Sequence, residues 1–168
     1  MNDAIMNVIG IPPRYKSACL EDFPKFAFEP QRSYFLYGEP GGGKTRLLCA
    51  IVKEVGACGV SRFCTAGDLL AQIREGMFAD KRANELETFR NRKFLAIDDI
   101  GGEKVTDWTV DVFYSIINYR YNNLLPTYFA SNWNLVELGK NYDLRIARRI
   151  GEMCTVVKLN HRKSTHAR

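Results

Sequence analysis

Residues 38–45 read Gly38-Glu39-Pro40-Gly41-Gly42-Gly43-Lys44-Thr45, followed by Arg46. The spacing is G-x-x-x-x-G-K-[ST]. Its glycines let a backbone wrap an anion and aim N–H groups at it. A helix starting there adds the positive end of its dipole. In this pattern the lysine reaches the β- and γ-phosphates of a nucleotide, and the threonine hydroxyl ligates Mg²⁺. Gly38 to Arg46 are therefore the candidate ATP-binding residues. Asp98 and Asp99 follow an apolar run, Phe94-Leu95-Ala96-Ile97. A carboxylate at the tip of a strand beside a phosphate loop can hold Mg²⁺ through water. Asp98 takes that metal role with Thr45, and Asp99 is placed to polarise an attacking water. Asn132 ends another apolar run, Thr127-Tyr128-Phe129-Ala130-Ser131. Its amide can orient the water or sense the nucleotide's state.

These residues need elements to carry them. Ser33 to Tyr37 is a short apolar run ending at Gly38, a buried-strand pattern. Leu47, Leu48, Ile51, Val52 and Val55 repeat at helical spacing, and Gly56 closes that helix. Val60 to Cys64 reads as a second strand. Thr65 and Asp68 form a capping-box pattern that opens a helix through Met77. Residues 79–92 are charged and poorly periodic. Residues 94–97 make a third strand, Thr106-Asp107 starts a long helix, and Pro126 ends that segment before a fourth strand. Asn134 can cap a short turn. Residues 143–153 form a helix with Ile146, Ile150 and Met153 on one face and Arg145, Arg148, Arg149 and Glu152 on the other. Residues 154–159 are a last strand. Apolar strands alternating with helices predict an α/β fold with a parallel sheet covered on both faces. Sites in such sheets lie at the carboxyl ends of the strands, where the candidate residues fall.

At 168 residues the chain is one domain's length. Hydrophobic residues make up 46% and charged residues 26%, which excludes a disordered chain, a collagen and a coiled coil. No apolar run approaches the roughly 18 residues needed to cross a bilayer. The N-terminus carries an early Asp3 and no basic region, unlike a signal peptide. Five cysteines without C-x-x-C spacing, and two histidines confined to positions 161 and 166, fit neither a zinc site nor a disulfide framework. A reducing, cytoplasmic compartment is expected. The net charge of +5 is uneven: residues 140–168 hold eight Lys/Arg against Asp143 and Glu152. A basic end on a near-neutral body suggests a polyanion contact, nucleotide or nucleic acid. Four prolines, at 12, 13, 24 and 30, make residues 1–32 read as an extended arm. The organisation expected is that arm, a core over 33–160, and a basic tail over 161–168.

The order of these parts resembles the AAA+ ATPases, and within them the bacterial replicative-helicase loaders of the DnaC/DnaI type. The resemblance rests on Ile11-Pro12-Pro13-Arg14-Tyr15 ahead of Phe23, the phosphate loop, and Ile97-Asp98-Asp99-Ile100-Gly101. It continues through Asn118-Tyr119-Arg120-Tyr121, Leu125-Pro126-Thr127, Ser131-Asn132 and Arg145 to Ile150. It implies a three-layer P-loop NTPase of AAA+ type with a five-stranded parallel sheet and a reduced lid. It lacks the N-terminal helicase-binding domain usual in that family. The implied activity is ATP hydrolysis coupled to assembly or helicase loading, with ATP and Mg²⁺ as cofactors. The implied partners are a replicative DNA helicase, single-stranded DNA and further copies in the ATP state, with no membrane. By resemblance, Arg120 matches the arginine finger and Arg149 the sensor-2 arginine. Arg74, Lys81 and Arg82 occupy the region that contributes to single-stranded DNA binding.

Three other functions share parts of this pattern. A transposition helper ATPase of the IstB type has the same core but acts with a transposase on double-stranded DNA. A small-molecule P-loop kinase needs lid arginines, which Arg145, Arg148 and Arg149 could supply, but the Asp98-Asp99 pair and Asn132 argue against it. A non-catalytic regulator would bind nucleotide and cap an oligomer.

Overall fold

The computed structural model describes residues 3–56, 60–78 and 82–160. Lys81, Cys58 and the basic tail at 161–168 lie outside the described residues. The elements in chain order are α1 (Asp3–Val8), two 3-10 turns (Pro13–Tyr15 and Leu20–Asp22), β1 (Ser33–Tyr37), α2 (Lys44–Val55) and β2 (Ser61–Thr65). Then come α3 (Ala66–Phe78), α4 (Arg82–Asn91), β3 (Phe94–Asp98), α5 (Asp107–Asn122) and β4 (Thr127–Ser131). The chain continues through α6 (Leu135–Asn141), α7 (Leu144–Met153) and β5 (Cys154–Lys158). No described helix is long and apolar enough to cross a membrane.

The five strands form one parallel sheet in the order β2-β3-β4-β1-β5. Alternate residues of each strand enter opposite cores. Phe35, Leu95, Ile97 and Phe129 point into the layer made by α3, α4, α5, α6 and α7. Tyr34, Leu36, Ala96, Tyr128 and Ala130 point into the layer made by α2 and the N-terminal segment. The register sets Thr65 beside Asp98 and Tyr37 beside Ser131. The carboxyl ends of four strands therefore finish at one level, and the loops that leave them share one edge of the sheet.

Residues 3–32 are not the extended arm that the prolines of the 1–32 segment suggest. Met6, Ile9, Ile11, Ala18 and Phe23 are buried in the α2 core. The Phe63 N–H donates to the Ile9 carbonyl at 2.7 Å, so the segment also covers the outer edge of β2. The reason is coverage. On that face α2 is the single long helix among the described residues, and its twelve residues extend only about 18 Å. The N-terminal segment buries the apolar sheet surface that α2 leaves open. The Tyr128 hydroxyl reaches the Pro30 carbonyl at 2.7 Å, and the Tyr34 hydroxyl accepts the Glu29 N–H at 2.9 Å, fixing the approach to β1.

Helix α4 occupies part of the stretch that reads as aperiodic. Its apolar anchors are Leu86 and Phe89, three residues apart, with Phe89 fully buried. Its carboxyl end is closed from outside by Arg120 of α5. The Arg120 guanidinium donates to the Phe89, Arg90 and Arg92 carbonyls at 3.2, 3.0 and 2.7 Å. It also reaches the Pro126 carbonyl and the Thr127 hydroxyl, both at 2.8 Å. A helix end leaves its last carbonyls without intrahelical partners, and this side chain supplies them. Arg120 is 0% exposed, and burial draws its pKa down to about 10. The expected arginine finger is thereby overturned, because a finger must protrude to reach a neighbour and this guanidinium is enclosed by its own domain.

Candidate active site

The phosphate loop joins β1 to α2. Gly38 has φ +139°, and a Cβ there would lie 2.2 Å from the Leu159 carbonyl oxygen. Only glycine fits between the loop and the end of β5. Lys44 opens α2 and is 8% exposed. Its ammonium donates to the Gly38 and Glu39 carbonyls at 2.7 and 2.9 Å. Burial lowers its pKa from the ordinary lysine value, while the nearby Asp98 and Asp99 charges oppose that shift. Arg46 is held by Asp22 of the N-terminal segment, through Nε at 2.8 Å and Nη2 at 2.7 Å.

Asp98 ends β3 and is almost fully buried. Burial raises its pKa, opposed by a hydrogen bond from the Thr45 hydroxyl. A hydroxyl and a carboxylate in contact make a hard oxygen donor pair that suits Mg²⁺. Asp99 follows with φ +57°, in the left-handed region that Asp tolerates better than most residues. That turn swings its carboxylate over Gly102, where a Cβ would meet Oδ2 at 2.4 Å. The Asn132 Nδ2 donates to Asp99 Oδ1 at 3.1 Å. The pairing is built by the strand tips beneath it. Ile100 N–H donates to the Ala130 carbonyl at 3.0 Å, and the Ser131 hydroxyl to the Ile100 carbonyl at 2.7 Å.

One cleft of about 620 Å³ collects Lys44, Thr45, Arg46, Asp98, Asp99 and Asn132 with Pro40, Gly41 and Gly43 of the loop. Gly38 and Glu39 face a second cleft on the far side of the loop, which shares Asn132. Arg149 is absent from the first cleft's lining. Helix α7 buries Ile146, Ala147 and Ile150 against the sheet and α5. That turns Arg149 onto α5, where it bonds Asn118 at 2.6 Å and the Tyr114 hydroxyl at 2.9 Å. The sensor-2 expectation for Arg149 is corrected accordingly: α7 is part of the core before β5 and does not lie over the nucleotide cleft. Arg74 is exposed on α3 with its guanidinium over the Trp108 ring at 4.7 Å. Arg82 begins α4, and its side chain lies outside the described residues. Sequence reasoning passed over Arg14, Tyr15 and Thr65 as cleft residues. The signal available for the first two was the Pro12-Pro13 turn, and for Thr65 its place at a strand tip.

No family model matches the chain. It is 34% identical over 145 residues to the uncharacterized protein YqaM of Bacillus subtilis, covering 80% of this chain and 44% of that one. It is 28% identical over 113 residues to the replicative helicase loader DnaI of the same organism, covering 66% of this chain and 36% of that one. The chain thus spans less than half the length of these two curated relatives. Its fold superposes on the crystal structure of the DnaC helicase loader with a TM-score of 0.77 and 27% identity, covering 89% of this chain and 100% of that one. The chain resembles the AAA+ cores of the helicase loaders in both sequence and fold. It also matches the fold of the replication initiator DnaA bound to AMPPCP and single-stranded DNA. That TM-score is 0.71, with 21% identity over 90% of this chain and 51% of that one. The expected five-stranded parallel α/β sheet is the one observed. Helices α6 and α7 lie between β4 and β5, and α7 packs on β1, β5 and α5.

Proposed function

We propose that the chain binds MgATP in the Lys44–Asp99 cleft and hydrolyses it as the switch of a helicase-loader-like assembly in the cytoplasm. One observation carries this reading: Lys44, Thr45, Asp98, Asp99 and Asn132, drawn from three separate loops, line the same cleft. Thr45 and Asp98 would hold Mg²⁺, which would screen the phosphate charge when bound. Lys44 leaves its loop carbonyls to meet the β- and γ-phosphates. Asn132 fixes the Asp99 carboxylate, and Asp99 accepts a proton from the attacking water. The water oxygen bonds the γ-phosphorus as the bond to the bridging oxygen breaks, giving ADP and phosphate. The functional unit is the 33–160 core together with the packed N-terminal segment.

The partners in this reading are a replicative helicase, single-stranded DNA and further copies of the chain in the ATP state. With Arg120 enclosed, any arginine offered to a neighbour comes from an exposed position, and Arg145 and Arg148 of α7 are exposed. The DNA contact is carried by Arg74, exposed on α3, and by Lys81 and Arg82, which follow it in sequence. Binding of labelled oligonucleotides in the presence of ATP, followed by fluorescence anisotropy over a range of salt, tests it. Single strands should bind more tightly than duplex, and affinity should fall steeply as salt rises because counterions are released. Arg74→Ala should weaken binding and reduce the salt slope by about 1. Salt-insensitive binding, or equal affinity for duplex, contradicts the DNA contact.

A further inference from the structure

The phosphate cleft has a wall that comes from far upstream of the phosphate loop. Arg14 and Tyr15 line it together with Lys44, Thr45, Thr65, Asp98, Asp99 and Asn132. The turn that presents them is rigid. Pro12 and Pro13 fix two φ angles, and the Tyr15 N–H closes the turn onto the Pro12 carbonyl at 2.9 Å. Ile11 and Ala18 are buried at its two ends. Lys53 of α2 donates to the Lys16 and Ala18 carbonyls, both at 2.6 Å. The turn is therefore fastened to the same helix that the phosphate loop opens.

The Arg14 side chain, by contrast, is exposed and makes no hydrogen bond or ion pair among the described residues. Its neighbour in the cleft, Arg46, is already engaged by Asp22. The N-terminal segment enters from the β2 edge, where Ile9 pairs with Phe63. Arg14 follows that edge contact and lines the cleft together with Thr65, at the tip of β2, and with Asp98, Asp99 and Asn132. Those two carboxylates repel a polyphosphate of their own sign, and a guanidinium at the mouth offsets that repulsion.

We propose that Arg14 contacts the terminal phosphate of the bound nucleotide, as a cation supplied by the same chain. This rests on the MgATP reading above. A guanidinium fork bonds phosphate oxygens in charge-assisted pairs, and at the transferred group it stabilises the charge of the transition state. ADP ends before that position, so Arg14 separates ATP from ADP.

Calorimetric titration of the full chain with Mg²⁺ plus a non-hydrolysable ATP analogue, and separately with MgADP, tests the contact. Arg14→Ala should weaken analogue binding about 10- to 100-fold and leave MgADP affinity unchanged. Arg14→Lys should recover part of the loss. The unfolding temperature of Arg14→Ala should equal that of the parent, because the side chain contacts nothing that holds the fold. Equal losses for the two nucleotides, or no loss for either, would overturn the contact while leaving the MgATP reading in place. A parent chain that binds neither nucleotide would overturn the MgATP reading, and this contact with it.

Discussion

Arg120→Ala is expected to lower the unfolding temperature by on the order of 10 °C, measured by calorimetry or circular dichroism. The substitution removes a fully buried cation and the five hydrogen bonds it donates. Three of its acceptors are the carbonyls that close the α4 segment, and all three would lose this donor. Each buried acceptor left unsatisfied costs about 1–3 kcal/mol, and each kcal/mol shifts the transition of a chain this long by roughly 2–4 °C. Arg120→Lys should recover little, since an ammonium cannot present the planar fork that reaches both α4 and the β4 entrance. A finger would behave differently. Its removal would leave the unfolding temperature unchanged, abolish hydrolysis, and allow rescue on mixing with Lys44→Ala. An unchanged unfolding temperature would refute the structural role.

Asp99→Asn should keep MgATP affinity and the fold while cutting the hydrolysis rate by about 10²- to 10⁴-fold, the usual contribution of a positioned general base. The substitution is unusually clean at this position. Asn also accepts the left-handed backbone that Asp99 adopts at φ +57°. Its side-chain oxygen can still accept the Asn132 amide now 3.1 Å from Asp99 Oδ1, and its volume suits the space over Gly102. Only the charge and the proton-accepting capacity are lost. Steady-state phosphate release, read beside equilibrium nucleotide binding, separates the two effects. Normal turnover in Asp99→Asn would remove Asp99 from the chemistry.

The parts of this site that local spacing encodes are legible in the sequence. The phosphate loop, the Asp98-Asp99 strand tip and Asn132 each follow an apolar strand, and the parallel sheet then brings the three loops to one edge. The caps are legible too: Thr106, Asn134 and Asp143 each accept backbone N–H groups at the start of their helices. What is not legible depends on contacts between distant segments. Helix α4 carries one buried anchor, Phe89, one half-buried anchor, Leu86, and an otherwise polar surface, so its periodicity is weak, and its end is stabilised by a residue of α5. Arg120 looks like an exposed helix-end cation until the α4 carbonyls are placed around it. The N-terminal segment has prolines and no repeat, and only the uncovered sheet surface beside α2 explains why it folds back. Arg14 reaches the cleft because of that packing, which no spacing rule anticipates.

Equilibrium binding of MgATP to the parent chain and to Lys44→Ala decides whether the Lys44–Asp99 cleft is an ATP site. Lys44 already sits in a buried position on its own loop carbonyls, so alanine removes the phosphate cation while the loop glycines and α2 remain. The parent should bind MgATP saturably, Lys44→Ala should lose that binding, and both proteins should unfold cooperatively in the absence of nucleotide. Undiminished MgATP affinity in a folded Lys44→Ala chain, or no MgATP binding by the folded parent, would contradict an ATP site in this cleft.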